Sequence, residues 1–294
     1  MIKKSPIHYM GCKEKLLKQL VPMFPENIST FYDLFAGSGV VSMNVNAEKY
    51  VVNDLSEHLY NLYNLFNSKT SDEIIEYCYK QIEKYGLTTQ ETSRKKMVVI
   101  NKIPFQKMRE DVNKCPSAIG FFLLSFYSFC NQFRFSKQGK FNMPVGNGYF
   151  GKNDEQSIKN FCDFFKNNEV EIFNKSYDEI EIKQDDNCFV YMDVPYCNTN
   201  AVYNETSRDL GGWTENNDFK FFEYCEELNK RNIKWCVSNV FCNKGKANQH
   251  LIEWCERNNW TVVHLNMKYA SHGVDNNKTD EVAIFNYKTN CYLF

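Results

Sequence analysis

The sequence contains no apolar run that approaches the ~20 residues needed to span a membrane. Hydrophobic residues nevertheless make up 43% of its 294 residues, which is sufficient for one large domain or two smaller ones. Lys3 and Lys4 near the N-terminus are followed by no apolar segment, so we expect no signal peptide. The expectation is a protein that spans no membrane and works in the cytoplasm.

Disulfide and metal patterns are missing as well. None of the twelve cysteines forms a CxxC pair, and the five histidines lie far apart in the sequence. With no signal peptide ahead of them, the cysteines are expected to be free thiols of a cytosolic protein. The histidine spacing matches no metal site, so we expect no bound metal. Internal repeats and low-complexity segments are also absent.

The chain has little net charge, but its charges are unevenly distributed. A formal net charge of −1 by itself argues against a protein that binds polyanions. Residues 90–152, however, contain eleven Lys/Arg and three Asp/Glu, a balance of +8, so the remainder carries −9. A basic middle within an acidic chain is typical of a nucleic-acid contact region. The alternative is a charged face that contacts only solvent.

The first part of the chain predicts a parallel sheet. Residues 13–24 have the apolar spacing of a helix, and Thr30–Phe35 is predicted as a short strand. A glycine turn, Ala36–Gly39, leads into a predicted helix start at Val40–Val45, and Tyr50–Asp54 is predicted as a second strand. Such a strand-turn-helix-strand unit indicates parallel strands.

The middle of the chain has a different pattern from its two ends. Helical periodicity dominates from about Leu59 to Phe165, with an irregular loop from Ser136 to Gly151. Further elements are predicted after it, namely strands at Glu169–Phe173, Phe189–Met192, Lys234–Ser238, Thr261–Leu265 and Glu281–Tyr287, and helices at Phe219–Asn229 and Asn248–Arg257. The predicted fold is α/β, with a Rossmann-like catalytic sheet domain (residues 1–58 and 168–294) and an inserted, mostly helical domain (residues 59–167).

The most informative segment is Phe189–Tyr196, an apolar run that brings Asp193, Pro195 and Tyr196 to its C-terminal end. In an open α/β sheet, ligands bind at the carboxyl ends of the strands. A carboxylate, a rigid turn and an aromatic ring together suit a flat base that carries an amine. The alternative for this segment alone is a strand that ends in an ordinary turn.

The glycine turn within Asp33–Gly39 indicates a nucleotide-like ligand, because glycines let the backbone approach a ligand closely. The dinucleotide fingerprint GxGxxG needs a third glycine where Ser42 stands, so an NAD site is disfavoured. The turn suits a ligand without a pyrophosphate, such as S-adenosylmethionine (SAM). Asp54 is a candidate acceptor for ribose hydroxyls, with a helix N-cap as the alternative. Lys13, at a helix start, is a candidate partner for a carboxylate.

Several short segments follow one another along the chain in this order: Tyr9-x-Gly11-x-Lys13, Asp33–Gly39, Asn53–Asp54, Arg109–Asn113, Tyr127–Arg134, Gly139–Gly146, Asn174–Tyr177, Asp193–Tyr196, Ser238–Asn239 and Lys278–Val282. Together they resemble the Dam-type DNA adenine-N6 methyltransferases of the alpha group, including the T-even phage enzymes. The resemblance covers nearly the whole chain. Each segment alone is weak, but the ordered set is specific.

The resemblance implies SAM as the cofactor and adenine N6 as the methyl acceptor. The implied SAM-binding residues are Tyr9, Gly11, Lys13, Asp33, Phe35, Gly37, Gly39, Asp54, Ser176, Tyr177 and Asp193. The implied catalytic residues are Asp193, Val194, Pro195 and Tyr196. Adenine would leave the duplex, stack on Tyr196 and donate N6 hydrogen bonds to Asp193 and the Val194 carbonyl, and N6 would then attack the methyl group.

The resemblance also implies double-stranded DNA as the partner and GATC as the target. The implied DNA-binding residues are Arg94, Lys95, Phe129, Asn131, Gln132, Arg134, Lys137 and Pro144. Arg134 would pair with a guanine, Pro144 would touch the adenine edge, and Phe129 would intercalate as the base leaves the duplex. For Phe129 the alternative is core packing in an aromatic-rich helix.

Two residues depart from the family pattern. Val194 replaces the first proline of the usual Asp-Pro-Pro-Tyr, and Tyr9 stands where tryptophan is frequent. Val194 keeps the backbone carbonyl, but it loses the fixed φ of proline and adds an N–H. We expect an active, monomeric enzyme of a bacterial cell or a phage-infected host, with a restriction endonuclease as a candidate partner. The alternatives are an amino-methyltransferase acting on RNA or protein and a catalytically silent DNA- or SAM-binding relative.

Overall fold

The structure of the chain is a computed structural model. It describes residues 2–89, 94–136, 138–185, 187–196, 213–243, 245–266 and 279–289. At residues 94 and 95 only the backbone is described.

The described strands form one mostly parallel sheet. Their bounds are β1 Ile28–Asp33, β2 Ala47–Asn53, β3 Glu169–Phe173, β4 Phe189–Asp193, β5 Lys234–Asn243, β6 Lys246–Ala247, β7 Thr261–Leu265 and β8 Asp280–Phe285. The order across the sheet is β3-β2-β1-β4-β5-β8-β7, with β6 paired to β5. The first five strands of that order are parallel, whereas β8 runs antiparallel to both β5 and β7. The predicted α/β class and Rossmann-like sheet are thereby confirmed.

Helices fill the connections between strands, most of them between β2 and β3. The described α-helices are α1 Leu17–Leu20, α2 Glu57–Ser68, α3 Ser71–Tyr85, α4 Arg94–Lys114, α5 Ala118–Tyr127, α6 Lys152–Asn167, α7 Glu215–Lys230 and α8 Gln249–Asn258. Local sequence explains their ends, as α3 illustrates. Thr70 and Glu73 form a capping box at its start, and Gly86, with φ of 74°, ends it in the left-handed conformation.

One prediction for the β1–β2 connection was wrong. Val40–Val45 was expected to start a helix, but the chain forms only a 3-10 turn at Ser42–Asn44. Val45 is already extended, with φ of −94° and ψ of 147°, and β2 begins at Ala47. Because the glycine turn uses the first residues after β1, too few remain for a full helix before the second strand.

Aromatic side chains pack against both faces of the sheet. On one face, Phe164 of α6 meets Tyr50 of β2 with ring centroids 5.0 Å apart. On the other face, Phe222 of α7 stacks on Trp254 of α8 at 4.4 Å, and Trp254 lies 5.9 Å from Trp235 of β5. Burial of such large rings is a main stabilising contribution to the fold.

The helices between β2 and β3 are joined closely to the sheet. Helix α2 contacts strand β3 as well as helices α5 and α6, and a single buried cluster runs from the sheet face into these helices. The division into residues 1–58 with 168–294 and residues 59–167 stays a prediction.

Candidate active site

The glycine turn after β1 is held by hydrogen bonds from two sides. The Asp54 carboxylate at the end of β2 accepts from the Gly37 N–H through Oδ2 and from the Ser56 N–H through Oδ1, each at 2.9 Å. Tyr63 of α2 donates its hydroxyl to the Gly37 carbonyl at 2.6 Å. Gly37 has φ of 54°, and a Cβ there would lie 3.2 Å from the Tyr9 ring. Glycine at this position therefore lets Tyr9 lie directly over the turn.

Next to this turn is a cavity of about 360 Å³ at the carboxyl ends of β1, β2 and β4. Most of the predicted cofactor and catalytic residues line it, namely Tyr9, Gly11, Lys13, Phe35, Gly37, Asp54, Ser176, Tyr177, Asp193, Val194 and Pro195. They come from five separate parts of the sequence. The parallel sheet brings them together because its strands end at the same edge.

Asp33 and Gly39 lie behind the cavity wall rather than in its lining. Asp33 is 1% exposed, and its Oδ2 accepts from the Ser42 hydroxyl at 2.6 Å, while Oδ1 has no hydrogen-bond partner in the structure. Burial raises the pKa of Asp33 to about 7. Gly39, with φ of 70°, lies so close to Phe161 of α6 that a Cβ would be 2.9 Å from that ring. The contacts of both residues are with neighbouring side chains, and their cofactor roles stay predictions.

One end of the cavity is aromatic. Phe35 and Tyr177 lie with ring centroids 5.3 Å apart at 30°, and Trp213 approaches Phe35 to 6.0 Å. The Trp213 indole N–H donates to Asp218 Oδ1 at 2.6 Å, which fixes the ring at the start of α7. Flat, apolar walls of this kind suit a planar heterocycle.

The tetrapeptide Asp193–Tyr196, which is predicted to be catalytic, begins at the last residue of β4, and Lys13 bonds to both of its ends. The Lys13 ammonium lies 2.7 Å from Asp193 Oδ1 and donates to the Tyr196 hydroxyl at 2.9 Å and to the Gly11 carbonyl at 3.1 Å. An ammonium has three N–H donors, and these three acceptors account for all of them. Lys13 is only 4% exposed. It therefore ties the N-terminal segment to both ends of the tetrapeptide.

Electrostatics keep this lysine charged. Burial is the largest single effect and lowers the pKa of Lys13, but Asp193, Tyr196, Tyr191 and Glu281 together outweigh it and raise the pKa well above its usual value. Burial raises the pKa of Asp193 to about 6, and Lys13 opposes that rise. Above that pH the site contains an ionised carboxylate paired with an ammonium ion.

Five of the predicted DNA-contacting residues lie on what we call the reading loop, residues 128–146 apart from residue 137: Phe129, Asn131, Gln132, Arg134 and Pro144. Phe129 is 57% exposed, so it does not pack in the core. Two left-handed residues, Cys130 (φ 55°) and Asn131 (φ 53°), follow it directly. The Phe129 N–H donates to the Pro144 carbonyl at 2.9 Å, which joins the two ends of the loop. An exposed aromatic ring is thus supported by an ordered backbone.

Arg134 is exposed, but its guanidinium is fixed in place. Nε donates to Asn142 Oδ1 at 2.7 Å, and Nη2 donates to the Asn142 carbonyl at 3.1 Å. Asn113 of α4 supports the same loop, since its side chain both donates to the Phe141 carbonyl and accepts from the Phe141 N–H. The loop therefore presents a guanidinium whose orientation is set before any ligand binds.

The comparisons with known proteins agree with this geometry. The family of D12 class N6 adenine-specific DNA methyltransferases matches residues 9–269. The chain belongs to this family. Its position within the family, including the expected closeness to the T-even phage enzymes, stays a prediction.

Three curated relatives show the extent of similarity. The modification methylase StsI of Streptococcus sanguinis is 31% identical over 98% of this chain and 44% of its own length. The type II methyltransferase M.FokI of Planomicrobium okeanokoites is 31% identical over 97% of this chain and 43% of its own length. The DNA adenine methylase of Escherichia coli is 25% identical, over 94% and 92% of the two chains. This chain thus spans less than half of the first two relatives.

The remaining predicted DNA-binding residues differ in how far the structure describes them. Asn131 and Gln132 are half-buried on the reading loop, and the Gln132 carbonyl accepts from the Ser128 hydroxyl at 2.9 Å. Arg94 and Lys95 begin α4, and their side chains, like the whole of Lys137, lie outside the described residues.

Sequence reasoning missed several residues of the site. Trp213 and Asn217 line the cavity. Asn53 joins two walls, because its side-chain amide donates to the carbonyls of Leu34 and Lys175 at 2.9 and 3.1 Å. A usable signal was Thr214, which forms a capping box with Asn217 and so marks the start of α7, four residues ahead of the predicted start at Phe219.

Among the described residues, no helix is long and apolar enough to cross a membrane. The described part of the chain also contains no group of three or more His, Cys, Asp or Glu side chains arranged to hold a metal ion. The ten cysteines that the structure describes carry free thiols.

Proposed function

We propose that this chain transfers a methyl group from SAM to the N6 amine of an adenine in double-stranded DNA. The observation that carries the proposal is one shared cavity. The Asp193–Pro195 end of β4 lines the same 360 Å³ space as the glycine turn and Asp54. Family membership supports the same reaction.

The cavity residues fit SAM in chemistry and size. Phe35, Tyr177 and Trp213 offer flat surfaces to an adenine ring. The Asp54 oxygens each accept one backbone N–H, and a carboxylate oxygen has a further lone pair for a ribose hydroxyl. Tyr9 contacts the glycine turn and lines the cavity, so it would be one of the residues that hold SAM. When bound, SAM supplies a methyl group on a sulfonium, which becomes a neutral thioether once the methyl has moved.

The chain's own residues orient and activate the target amine. Asp193 and the Val194 carbonyl accept its two N6 hydrogens, which localises the nitrogen lone pair that free adenine delocalises into its ring. Tyr196 stacks against the base. Positive charge develops on N6 during transfer and is discharged when N6 loses a proton, which Asp193 accepts. The protein's contribution is orientation and a preorganised negative charge rather than a covalent intermediate.

The reading loop and α4 contact the DNA in this proposal. Phe129 fills the space left by the flipped base, Pro144 touches the adenine edge, and Arg134 pairs with guanine O6 and N7. The lysines of residues 90–152 contact phosphates, together with Arg94, Asn131 and Gln132. We propose GATC as the target. Residues 1–58 with 168–294 form the catalytic domain, and residues 59–167 form the target-recognition domain.

The cellular setting is part of the proposal. Relatives named modification methylases and type II methyltransferases support a partner restriction endonuclease that cleaves the same sequence when it is unmethylated. We propose that the enzyme acts in the cytoplasm and as a monomer. Within the family, we propose that the chain is similar to the T-even phage Dam enzymes.

Sequencing of modified bases tests both the activity and its target. The chain is expressed in cells that lack adenine methylation, next to an Asp193→Ala variant as the matched control. We expect N6-methyladenine at every GATC with the wild type and none with the variant. A different methylated motif would overturn GATC alone. Unmodified DNA from cells containing folded wild-type protein would overturn the activity and favour the silent relative or the RNA and protein substrates.

A further inference from the structure

Glu281 is a buried carboxylate next to the catalytic tetrapeptide. It lies near the start of β8, opposite Val240 of β5 and Leu265 of β7, and is 6% exposed. Its Oε2 accepts from the Tyr196 hydroxyl at 3.4 Å. A carboxylate is rarely buried in a protein interior unless a group of opposite charge or hydrogen-bond donors lie beside it. The chemistry of Glu281 therefore has to be sought in the site that it touches.

The Tyr196 hydroxyl that donates to Glu281 also accepts from Lys13 at 2.9 Å, and Lys13 lies 2.7 Å from Asp193. Both carboxylates favour the protonated lysine. The Tyr196 hydroxyl lies between Lys13 and Glu281 and connects the two.

The negative charge of Glu281 matters for the proposed reaction. A second carboxylate near Asp193 disfavours the ionised form of Asp193, so Asp193 binds a proton more strongly. Asp193 is thereby a better acceptor for the proton that N6 loses.

We propose that Glu281 is a positioning residue for methyl transfer, which fixes the Tyr196 ring through its hydroxyl and, through its negative charge, makes Asp193 a stronger acceptor for the N6 proton. This inference rests on the proposed function. Glu281 does not touch the substrate, and it acts through Tyr196 and Asp193.

The test compares Glu281→Gln with the wild type in single-turnover methylation of a duplex containing the preferred site. Glutamine keeps the size and an acceptor oxygen, but removes the charge. We expect the rate at saturating SAM and DNA to fall roughly tenfold, with both dissociation constants within about twofold of wild type. Glu169→Gln, at an exposed position of β3, is the matched control and should leave the rate unchanged.

The pH dependence separates this role from a merely structural one. Charged and titratable groups near Asp193 come from each element packed around it: Lys13 before α1, Asp33 on β1, Tyr191 on β4, Tyr196 after β4, Cys236 on β5 and Glu281 on β8. Of these, Glu281 raises the pKa of Asp193 and Lys13 lowers it. Removing the Glu281 charge should therefore move the acidic limb of the rate profile to lower pH.

Glu281→Asp completes the experiment, because it keeps the charge but shortens the side chain. We expect a slower rate with the acidic limb near its wild-type position. This variant also tests the contact with Tyr196 if the glutamine variant does not fold. An active wild type whose rate and pH profile are unchanged in both variants would overturn the inference alone. A folded wild type that transfers no methyl group would overturn the proposed function, and with it the role of Glu281.

Discussion

Val194 stands where the sequence resemblance predicts the first proline of Asp-Pro-Pro-Tyr. Its side chain is 1% exposed and packs in the core formed with β4, β5 and α7. The side chain therefore points away from the chemistry, and the backbone carbonyl is the group left for the target amine. Substitutions at Val194, Asp54 and Asp33 should therefore have different effects on methyl transfer, SAM binding and stability.

Val194→Pro tests this reading of position 194. Proline keeps the carbonyl and pre-sets φ, so methyl transfer should be retained within about threefold of the wild-type rate. Val194→Ala, which also keeps the carbonyl, should remain active and lose about 1–2 kcal/mol of stability through the buried methyl groups removed. Single-turnover assays and urea unfolding measure both effects. Activity that appears only in the proline variant would show that Val194 has silenced the site.

Asp54→Ala should weaken SAM binding without DNA. The substitution removes the acceptor for the Gly37 and Ser56 N–H groups, each 2.9 Å away, together with the proposed ribose acceptor. The expected loss is about 1–3 kcal/mol of binding free energy. Calorimetry measures the SAM affinity. Asp54→Asn keeps one acceptor oxygen, so its affinity should lie between those of the wild type and Asp54→Ala. Equal SAM affinity in all three proteins would contradict the proposed role.

Asp33→Asn should change how stability depends on pH. Burial raises the pKa of Asp33 from 3.8 to about 7, so between these values the folded state keeps a proton that the unfolded state releases. The stabilisation that this proton gives the folded state is complete below pH 3.8 and is lost as the pH rises toward 7. The variant should flatten the fall in unfolding free energy by up to about 1.4 kcal/mol per pH unit. In the variant, the unfolding free energy still falls as the pH rises, because burial raises the pKa values of Asp193 and Asp54 to about 6.

Urea unfolding at several pH values between about 4.5 and 6.5 measures this slope. Asp178→Asn, at an exposed position, is the control and should leave the slope as it is. An Asp33→Asn slope equal to the wild-type slope would mean that Asp33 is ionised throughout this range.

At the scale of elements, the reading loop combines exposure with order. Asn142 accepts from Arg134 and Asn113 accepts from the Phe141 N–H, which fixes the loop, while the Phe129 ring and the Arg134 guanidinium are exposed. A loop prepared in this way loses less conformational freedom on binding than a flexible one does. Discrimination between bases should therefore depend on this element, whereas overall affinity depends on the lysines.

Arg134→Ala should relax discrimination at one guanine by about 1–3 kcal/mol. Asn142→Ala should relax the same position by less, because Arg134 keeps its charge but loses its orientation. Lys96→Ala, at an exposed site on α4, should instead weaken binding to all duplexes and reduce the salt slope by about one. Competition binding with single-base variants of the site distinguishes these effects. Uniform weakening by Arg134→Ala would reassign it to a phosphate contact.

Elements were predictable from sequence where local pattern decides them. The apolar run Phe189–Met192 became β4, and the glycine turn after β1 lies at the cavity. The helix predicted at Val40–Val45 does not form, because too few residues remain between the glycine turn and β2 for a full helix. Trp213 and Glu281 escaped prediction as site residues, since pairing of β8 between β5 and β7 and the start of α7 bring them there from distant positions.

At the scale of the whole molecule, the sheet and the helices between β2 and β3 share one aromatic-rich core. The cavity opens at the sheet edge, while the basic residues are concentrated in the helical part, whose segment 90–152 contains eleven Lys/Arg and three Asp/Glu. This arrangement lets one part bind a polyanion while the other binds the cofactor. Affinity for DNA and methyl transfer should therefore be separable.

The most direct measurement is single-turnover methyl transfer from labelled SAM to a GATC duplex by the wild type and Asp193→Ala, with DNA binding measured in parallel. The account predicts label in N6-methyladenine with the wild type. It predicts no detectable transfer by the variant and DNA affinity within about threefold of wild type, because phosphate contacts dominate affinity. Transfer by Asp193→Ala at the wild-type rate, or label in a product other than N6-methyladenine, would contradict the central claim.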